Sequence, residues 1–65
     1  MKIEKHQNQW SKWTCYYVRT YRDWETLRKW MYDNDVSYDL LSSGSSGYVF
    51  EIRGDRDWWF KLKWL

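Results

Sequence analysis

The first regular alternation of apolar and polar positions lies in the stretch TCYYVRTY, residues 14–21. Tyr16 and Val18 alternate with Cys15 and Tyr17, so the two sets would lie on opposite faces of a strand. β-branched and aromatic side chains of this kind are enriched in strands. The pattern therefore predicts the first strand of the fold at this stretch.

In the next stretch, RDWETLRKWMYDND, the spacing of apolar residues changes to that of a helix. Trp24, Leu27 and Met31 recur at i, i+3 and i+7, the spacing of an apolar stripe along one helix face. Thr20 precedes the stripe and is a residue type that caps the first turn. We predict a helix over roughly residues 22–33.

Two further alternating stretches, residues 36–40 and 48–52, predict a second and a third strand. The apolar positions of the third strand would face the core and leave Glu51 on the solvent side. Between the two strands lies SSGSSG, residues 42–47. Small and flexible residues predict an exposed loop that joins an antiparallel pair of strands.

The final stretch DRDWWFKLKWL, residues 55–65, fits both periods. Every second residue from Trp58 to Trp64 is apolar, which suits a strand. However, Trp58, Leu62 and Leu65 also fall at i, i+4 and i+7, with aspartates before them and lysines toward the end. We favour the helix, because the end charges and the apolar spacing agree.

The predicted fold class is α+β, with the order β-α-β-β-α and two helices on one face of a three-stranded antiparallel sheet. This would be a ferredoxin-like fold that stops before its fourth strand. The alternative is β-α-β-β-β, with the C-terminal segment as a fourth strand. Residues 1–10 are mostly polar and are predicted to be a flexible N-terminus, and residues 11–65 to be a single small domain.

Aromatic residues are abundant, with seven tryptophans, six tyrosines and two phenylalanines in 65 residues. A thin layer between a short sheet and two helices cannot enclose all of them, so some are expected to face outward. Trp, Tyr and Arg are also the residues that most often anchor protein interfaces. The alternative is that lysine and arginine stems cover these rings, which then contribute only to stability. We predict a partner-binding patch formed by Trp10, Trp13, Tyr17, Arg19, Arg22 and Trp59.

The tail of the chain is similar to the endings of small uncharacterised proteins of tailed bacteriophages. Those proteins finish in a strand, an acidic turn and a phrase such as D-A-x-x-F-K-L-x-W. Here residues 60–62 read FKL and Trp64 follows at the same spacing, while Asp57 stands in the place of the alanine. The resemblance implies a phage protein in the host cytoplasm that binds and modulates or inhibits a host protein. A second copy of the chain is the alternative partner.

A second resemblance is to RNA-recognition domains, whose third strand carries a G-[FY]-x-[FY] core like Gly47-Tyr48-Val49-Phe50. It implies an alternative function, the binding of single-stranded nucleic acid by base stacking on Tyr17, Tyr48 and Phe50. Core packing is the competing interpretation of the same rings. The net charge of +2 is spread along the chain, and it favours nucleic-acid binding less than a basic stripe would.

Candidates for catalysis and metal binding are few. His6 is the only histidine and lies in the polar N-terminus, while Cys15 lies on a strand without a basic helix end beside it. One Cys and one His cannot form a tetrahedral zinc site. Residues 33–37 begin like a calcium loop but lack its glycine and glutamate, and the RGD at 53–55 suits a turn. We therefore predict a protein that is not an enzyme and needs no metal or cofactor.

A single cysteine excludes an internal disulfide bond and indicates a reducing compartment. Residues 1–10 contain no apolar core of a signal peptide, and the chain has no run of about 18 apolar residues. The expectation is a soluble cytoplasmic protein without a membrane partner.

Overall fold

The computed structural model describes residues 1–7 and 9–65. Its strands form one antiparallel sheet, and two helices pack on one face of it. The α+β class and the helical C-terminal segment are confirmed. In chain order the elements are β1 (Glu4–His6), β2 (Thr14–Val18), α1 (Tyr21–Asp33), β3 (Tyr38–Gly44), β4 (Gly47–Ile52) and α2 (Asp57–Trp64). Within the sheet the strands lie in the order β1-β2-β4-β3.

The predicted count of three strands is wrong, because β1 adds a fourth within the segment assigned to a flexible N-terminus. All three side chains of β1 are exposed and polar, so the strand has no apolar alternation that the sequence could reveal. Backbone pairing holds it, with Glu4 opposite Tyr17 and His6 opposite Cys15. Asn8, in the same N-terminal segment, lies outside the described residues.

The fourth strand of the sheet, β1, comes from the N-terminal segment and pairs with β2. In a ferredoxin-like fold, a strand that follows the second helix would pair with the edge of the first strand. Here β1 occupies that edge of β2 instead. The alternative with the C-terminal segment as a fourth strand is wrong, because Asp57–Trp64 forms α2.

The SSGSSG stretch is mostly strand, and the predicted six-residue loop is wrong. β3 continues to Gly44 and β4 begins at Gly47, so only Ser45 and Ser46 connect them. β3 is an edge strand whose residues after Tyr38 are all exposed. Such a strand is held by its backbone ladder and needs no apolar side chains, which explains why composition alone indicated a loop.

Helix α1 forms where its apolar stripe predicted it. The hydroxyl of Thr20 accepts a hydrogen bond from the backbone N–H of Asp23 at 3.2 Å, which caps the first turn. The stripe residues Trp24, Leu27 and Met31 are all buried against the sheet. The helix crosses over the sheet and returns the chain parallel to β2, with β4 between the two strands.

Phe60 of α2 lies at the centre of the core and is fully buried. Its ring centroid is 4.8 Å from that of Tyr16 on β2, 6.0 Å from that of Phe50 on β4 and 6.2 Å from that of Trp30 on α1. Tilted and T-shaped contacts at these distances are favourable arrangements of aromatic rings. The core therefore joins two strands and both helices through one phenylalanine.

The face of α2 that packs on the core lies opposite the stripe formed by Trp58, Leu62 and Leu65. Phe60 is buried and Trp64 is partly buried against the core. Trp58, Leu62 and Leu65 are 58%, 74% and 64% exposed. A large aromatic ring at Phe60 fills the space between sheet and α1, and this contact orients the helix more strongly than the longer stripe does.

Tyr16 and Asp57 connect β2 to the first turn of α2. The Tyr16 hydroxyl donates to Asp57 Oδ1 at 2.8 Å, and Lys61 Nζ lies 3.1 Å from Asp57 Oδ2. Burial raises the pKa of Tyr16 well above its usual range, and the Asp57 carboxylate raises it further. At a pH somewhat above 10, the hydroxyl of Tyr16 in an unfolded chain loses its proton, whereas the folded chain keeps it.

Replacing Tyr16 with phenylalanine is expected to lower the unfolding free energy by about 1 kcal/mol, because the half-buried Asp57 loses a donor. In the wild type, stability should fall as the pH rises above about 10, since the unfolded tyrosine then ionises and the folded one does not. The fall should be smaller in Tyr16→Phe. Urea unfolding of both proteins at pH 7 and pH 10.5 checks this, and an equal fall in both would contradict it.

Candidate partner-binding site

The site candidate lies on the sheet face turned away from both helices, here called the open face. Alternation along β2 and β4 places Cys15, Tyr17, Val49 and Glu51 on this face. Cys15 pairs with Glu51, and Tyr17 pairs with Val49. The chain before β2 also contributes to it, because Ser11 reaches Glu51.

Glu51 holds the segment before β2 against the open face. The sequence placed it in solvent, but it is only 5% exposed, so that prediction is wrong. One carboxylate oxygen accepts a hydrogen bond from the Ser11 hydroxyl, and the other lies 3.3 Å from Arg53 Nε. The Ser11 hydroxyl oxygen also accepts from the backbone N–H of Trp13 at 3.1 Å. A buried carboxylate requires such partners, and through Ser11 they fix the backbone at Trp13.

A depression of about 480 Å³, here called the Trp13 pocket, lies above this carboxylate. Its apolar lining comes from Trp10, Trp13 and Leu41, and its polar lining includes Glu51 and Arg53. Trp10 is 88% exposed. A concave site with aromatic walls and a few fixed polar groups is suited to an apolar side chain or a small ligand.

The rim of the Trp13 pocket carries positive charge. Lys12 Nζ lies 5.0 Å from the ring centroid of Trp13, a cation–π contact that holds the ammonium over the ring. Arg53 is half-exposed beside Glu51 and therefore presents part of its guanidinium to solvent. The pocket combines apolar walls with the ammonium group of Lys12 and with a guanidinium group that Glu51 partly neutralises.

Three of the predicted patch residues come together on the open face. Trp10 and Trp13 both line the Trp13 pocket. Tyr17 lies farther along the same face of β2 and is half-buried. Its hydroxyl donates to the backbone carbonyl of Ser46 at 2.5 Å, so the ring lies against the β3–β4 turn.

The other three predicted patch residues lie elsewhere. Arg19 and Arg22 are exposed where β2 leads into α1. Trp59 belongs to α2 in the helical layer, and its indole N–H donates to Asn34 Oδ1 at 3.4 Å. The residues of the predicted patch therefore lie in three places, which are the open face, the connection from β2 to α1, and α2.

The residues of the predicted base-stacking site do not share a face. Phe50 is fully buried in the core. Tyr48 lies beside it on the helix-facing side, with its ring stacked on Trp24 at a centroid distance of 6.3 Å. Of the three, only Tyr17 lies on the open face. Its partner in the β2–β4 ladder is Val49, and the residues on either side of Val49, Tyr48 and Phe50, point to the opposite face. A base therefore cannot stack on Phe50 in this fold.

Strand β1 places His6 opposite Cys15 in the antiparallel ladder. Cys15 is buried, and its thiol lies 3.7 Å from the backbone carbonyl of Trp13 as a weak donor. Burial raises the pKa of this thiol, so it stays protonated at neutral pH and is a poor nucleophile. Across residues 1–7 and 9–65, no group of three or more His, Cys, Asp or Glu could hold a metal ion.

Sequence reasoning missed Ser11, Leu41, Glu51 and Arg53 as parts of the site. Leu41 interrupts the ladder between β3 and β4, where the register shifts between Leu40 and Ser42. Leu41 therefore lies in a bulge of the edge strand, and it lines the pocket. Glu51 on an apolar strand, with Arg53 just after the strand, was the signal that the sequence offered.

Neither helix of the described residues has the length and hydropathy to cross a membrane.

The chain matches no protein-family model, no curated protein and no solved structure.

Proposed function

We propose that the chain is a non-enzymatic binding protein that engages another protein through its open face. The observation that carries the proposal is the Trp13 pocket, an aromatic-walled depression of about 480 Å³ with a fixed polar floor. In the complex, Trp10 and Trp13 would enclose an apolar side chain of the partner. Tryptophans in such positions are common hot spots of protein interfaces.

The geometry of the pocket favours binding because one wall is held in place before the partner arrives. Glu51 holds Ser11, and Ser11 accepts a hydrogen bond from the backbone N–H of Trp13, so the backbone that carries this ring is ordered before binding. Lys12 and Arg53 at the rim would attract acidic groups around the apolar anchor of the partner. The proposed partner surface therefore carries one protruding apolar side chain within an acidic rim.

The proposed partner is a host protein whose activity the chain modulates or inhibits, in the host cytoplasm. This part of the proposal is supported by the resemblance of the FKL segment, residues 60–62, and Trp64 to the endings of phage proteins. It is independent of the pocket, since these residues lie in the helical layer. The alternative, single-stranded nucleic acid, retains only Tyr17 of its three proposed stacking residues on the open face.

The test is a tagged pull-down from a bacterial lysate with and without nuclease, using the wild type, Trp10→Ala, Leu41→Ala and the control Tyr32→Ala. Trp10 and Leu41 line the pocket, whereas Tyr32 is 78% exposed on α1. We expect a stoichiometric host protein that survives nuclease, is retained by the control and binds Trp10→Ala at least about 30-fold more weakly, the effect of a hot spot of 2 kcal/mol.

Matched circular dichroism spectra would show that the pocket variants remain folded. Equal capture by the wild type and both pocket variants would contradict the use of the Trp13 pocket. Capture that disappears with nuclease would support the nucleic-acid alternative instead.

A further inference from the structure

Helix α2 presents an apolar stripe to solvent on the side of the sheet opposite the Trp13 pocket. Trp58, Leu62 and Leu65, here called the α2 stripe, recur at i, i+4 and i+7 and are 58%, 74% and 64% exposed. The ring of Trp59 packs against Trp58 at a centroid distance of 5.3 Å and widens the surface. The helical ladder includes Leu65, whose N–H donates to the carbonyl of Lys61 at 2.9 Å. Contiguous exposed apolar surface of this kind usually marks a contact site.

The α2 stripe is self-complementary in an antiparallel arrangement. Leu62 lies close to its middle, so a two-fold axis there would place Leu62 against Leu62 of a second copy. Trp58 of each copy would then pack on Leu65 of the other, and every apolar position would meet an apolar position. An isologous interface of this kind is the usual basis of two-fold dimers.

The charges along α2 also favour the antiparallel orientation. Asp57 and Lys61 pair with each other inside each copy, and Asp55 is followed by Arg56, so Lys63 in the last turn is the positive charge that these pairs do not offset. Antiparallel packing separates the Lys63 residues of the two copies and opposes the two helix dipoles. Parallel packing would place the lysines of both copies side by side.

We infer that the α2 stripe binds a second copy of this chain and forms an antiparallel α2–α2 dimer. The helix has eight residues, so the interface is small and the dissociation constant is expected in the range of roughly micromolar or weaker. The Trp13 pocket lies on the opposite side of the sheet, so a dimer would present two pockets. Two linked pockets would bind a multivalent partner more tightly than one pocket does.

The test is sedimentation equilibrium of the whole chain over a concentration series that reaches well above the micromolar range. The wild type should shift from monomer to dimer. Leu62→Glu should weaken the dimer at least about 30-fold, because the symmetry places two carboxylates at the axis. The control Tyr32→Ala, on the outer face of α1, should dimerise like the wild type. Circular dichroism checks that Leu62→Glu is folded, as expected for a residue that is 74% exposed.

A mixing experiment tests the orientation. Trp58→Glu and Leu65→Lys should each dimerise poorly alone, and an equimolar mixture should form a heterodimer, because the antiparallel pair brings Glu at 58 beside Lys at 65. A mixture that stays monomeric overturns the antiparallel geometry. A wild type that is monomeric at every concentration overturns the dimer. If that monomer co-sediments with vesicles of phosphatidylcholine and phosphatidylglycerol, the stripe binds a lipid surface instead.

The dimer and the proposed function can be tested separately, because each variant changes only one of the two surfaces. Leu62→Glu leaves the residues of the Trp13 pocket unchanged and should still capture the partner of the open face. Trp10→Ala leaves the α2 stripe unchanged and should still dimerise.

Discussion

Alanine at Phe60 is expected to lower the unfolding free energy by about 3–5 kcal/mol, the usual cost of removing a buried aromatic ring. Phe60 is fully buried and contacts the rings of Tyr16, Phe50 and Trp30. A domain of this size has a stability of only a few kcal/mol, so the variant should be largely unfolded at 37 °C or melt far below the wild type. Thermal and urea unfolding followed by circular dichroism measure the effect.

The matched control is Leu62→Ala on the same helix. Leu62 is 74% exposed, so the variant should differ from the wild type by no more than about 0.5 kcal/mol in dilute protein. The comparison decides which face of α2 packs on the sheet. A cost at Leu62 equal to that at Phe60 would mean that the helix is rotated toward its i, i+4, i+7 stripe.

Gly47→Ala is expected to cost about 2–4 kcal/mol, because two separate effects oppose a side chain there. Gly47 has a φ of 128°, a conformation that L-residues rarely adopt. A Cβ at this position would also lie 2.6 Å from the hydroxyl oxygen of Tyr17 and even closer to its ring. The ring cannot easily move, since its hydroxyl donates to the carbonyl of Ser46. Urea unfolding at neutral pH measures the loss.

Gly44 provides the control, because it pairs with Gly47 across the same turn but has open space around its Cβ position. Gly44→Ala should cost less than about 1 kcal/mol. The cost of Gly47→Ala should also be smaller in a Tyr17→Ala background, where only the backbone strain remains. An unchanged cost in that background would show that the ring of Tyr17 does not restrict this position.

Prediction succeeded where local side-chain patterns and packing agree. The cap at Thr20 and the stripe of Trp24, Leu27 and Met31 predicted α1 to within a residue, and its first turn and buried face are as expected. The third predicted strand also lies where its alternation placed it, with Phe50 inward. In these elements the local signal and the tertiary contacts select the same conformation.

Prediction failed where backbone pairing alone holds an element. Strand β1 is polar throughout, and the half of β3 that reads SSG is exposed, so neither carries an apolar signal. The open-face site was missed in part for a related reason. Trp10 and Trp13 line one pocket with Leu41 and Glu51 only because β4 pairs with β2 on one side and with β3 on the other.

By itself the sequence determined the α+β class, the crossover helix α1 and an excess of aromatic rings over what the core can hold. Those properties follow from local periodicity and from composition, which can be read from the sequence without knowledge of the fold. The tertiary structure alone decided which face of α2 packs, that Glu51 is buried, and which tryptophans share a surface. These outcomes depend on contacts with distant parts of the chain, such as those of Phe60 with Tyr16 and Phe50, and a linear pattern does not contain those contacts.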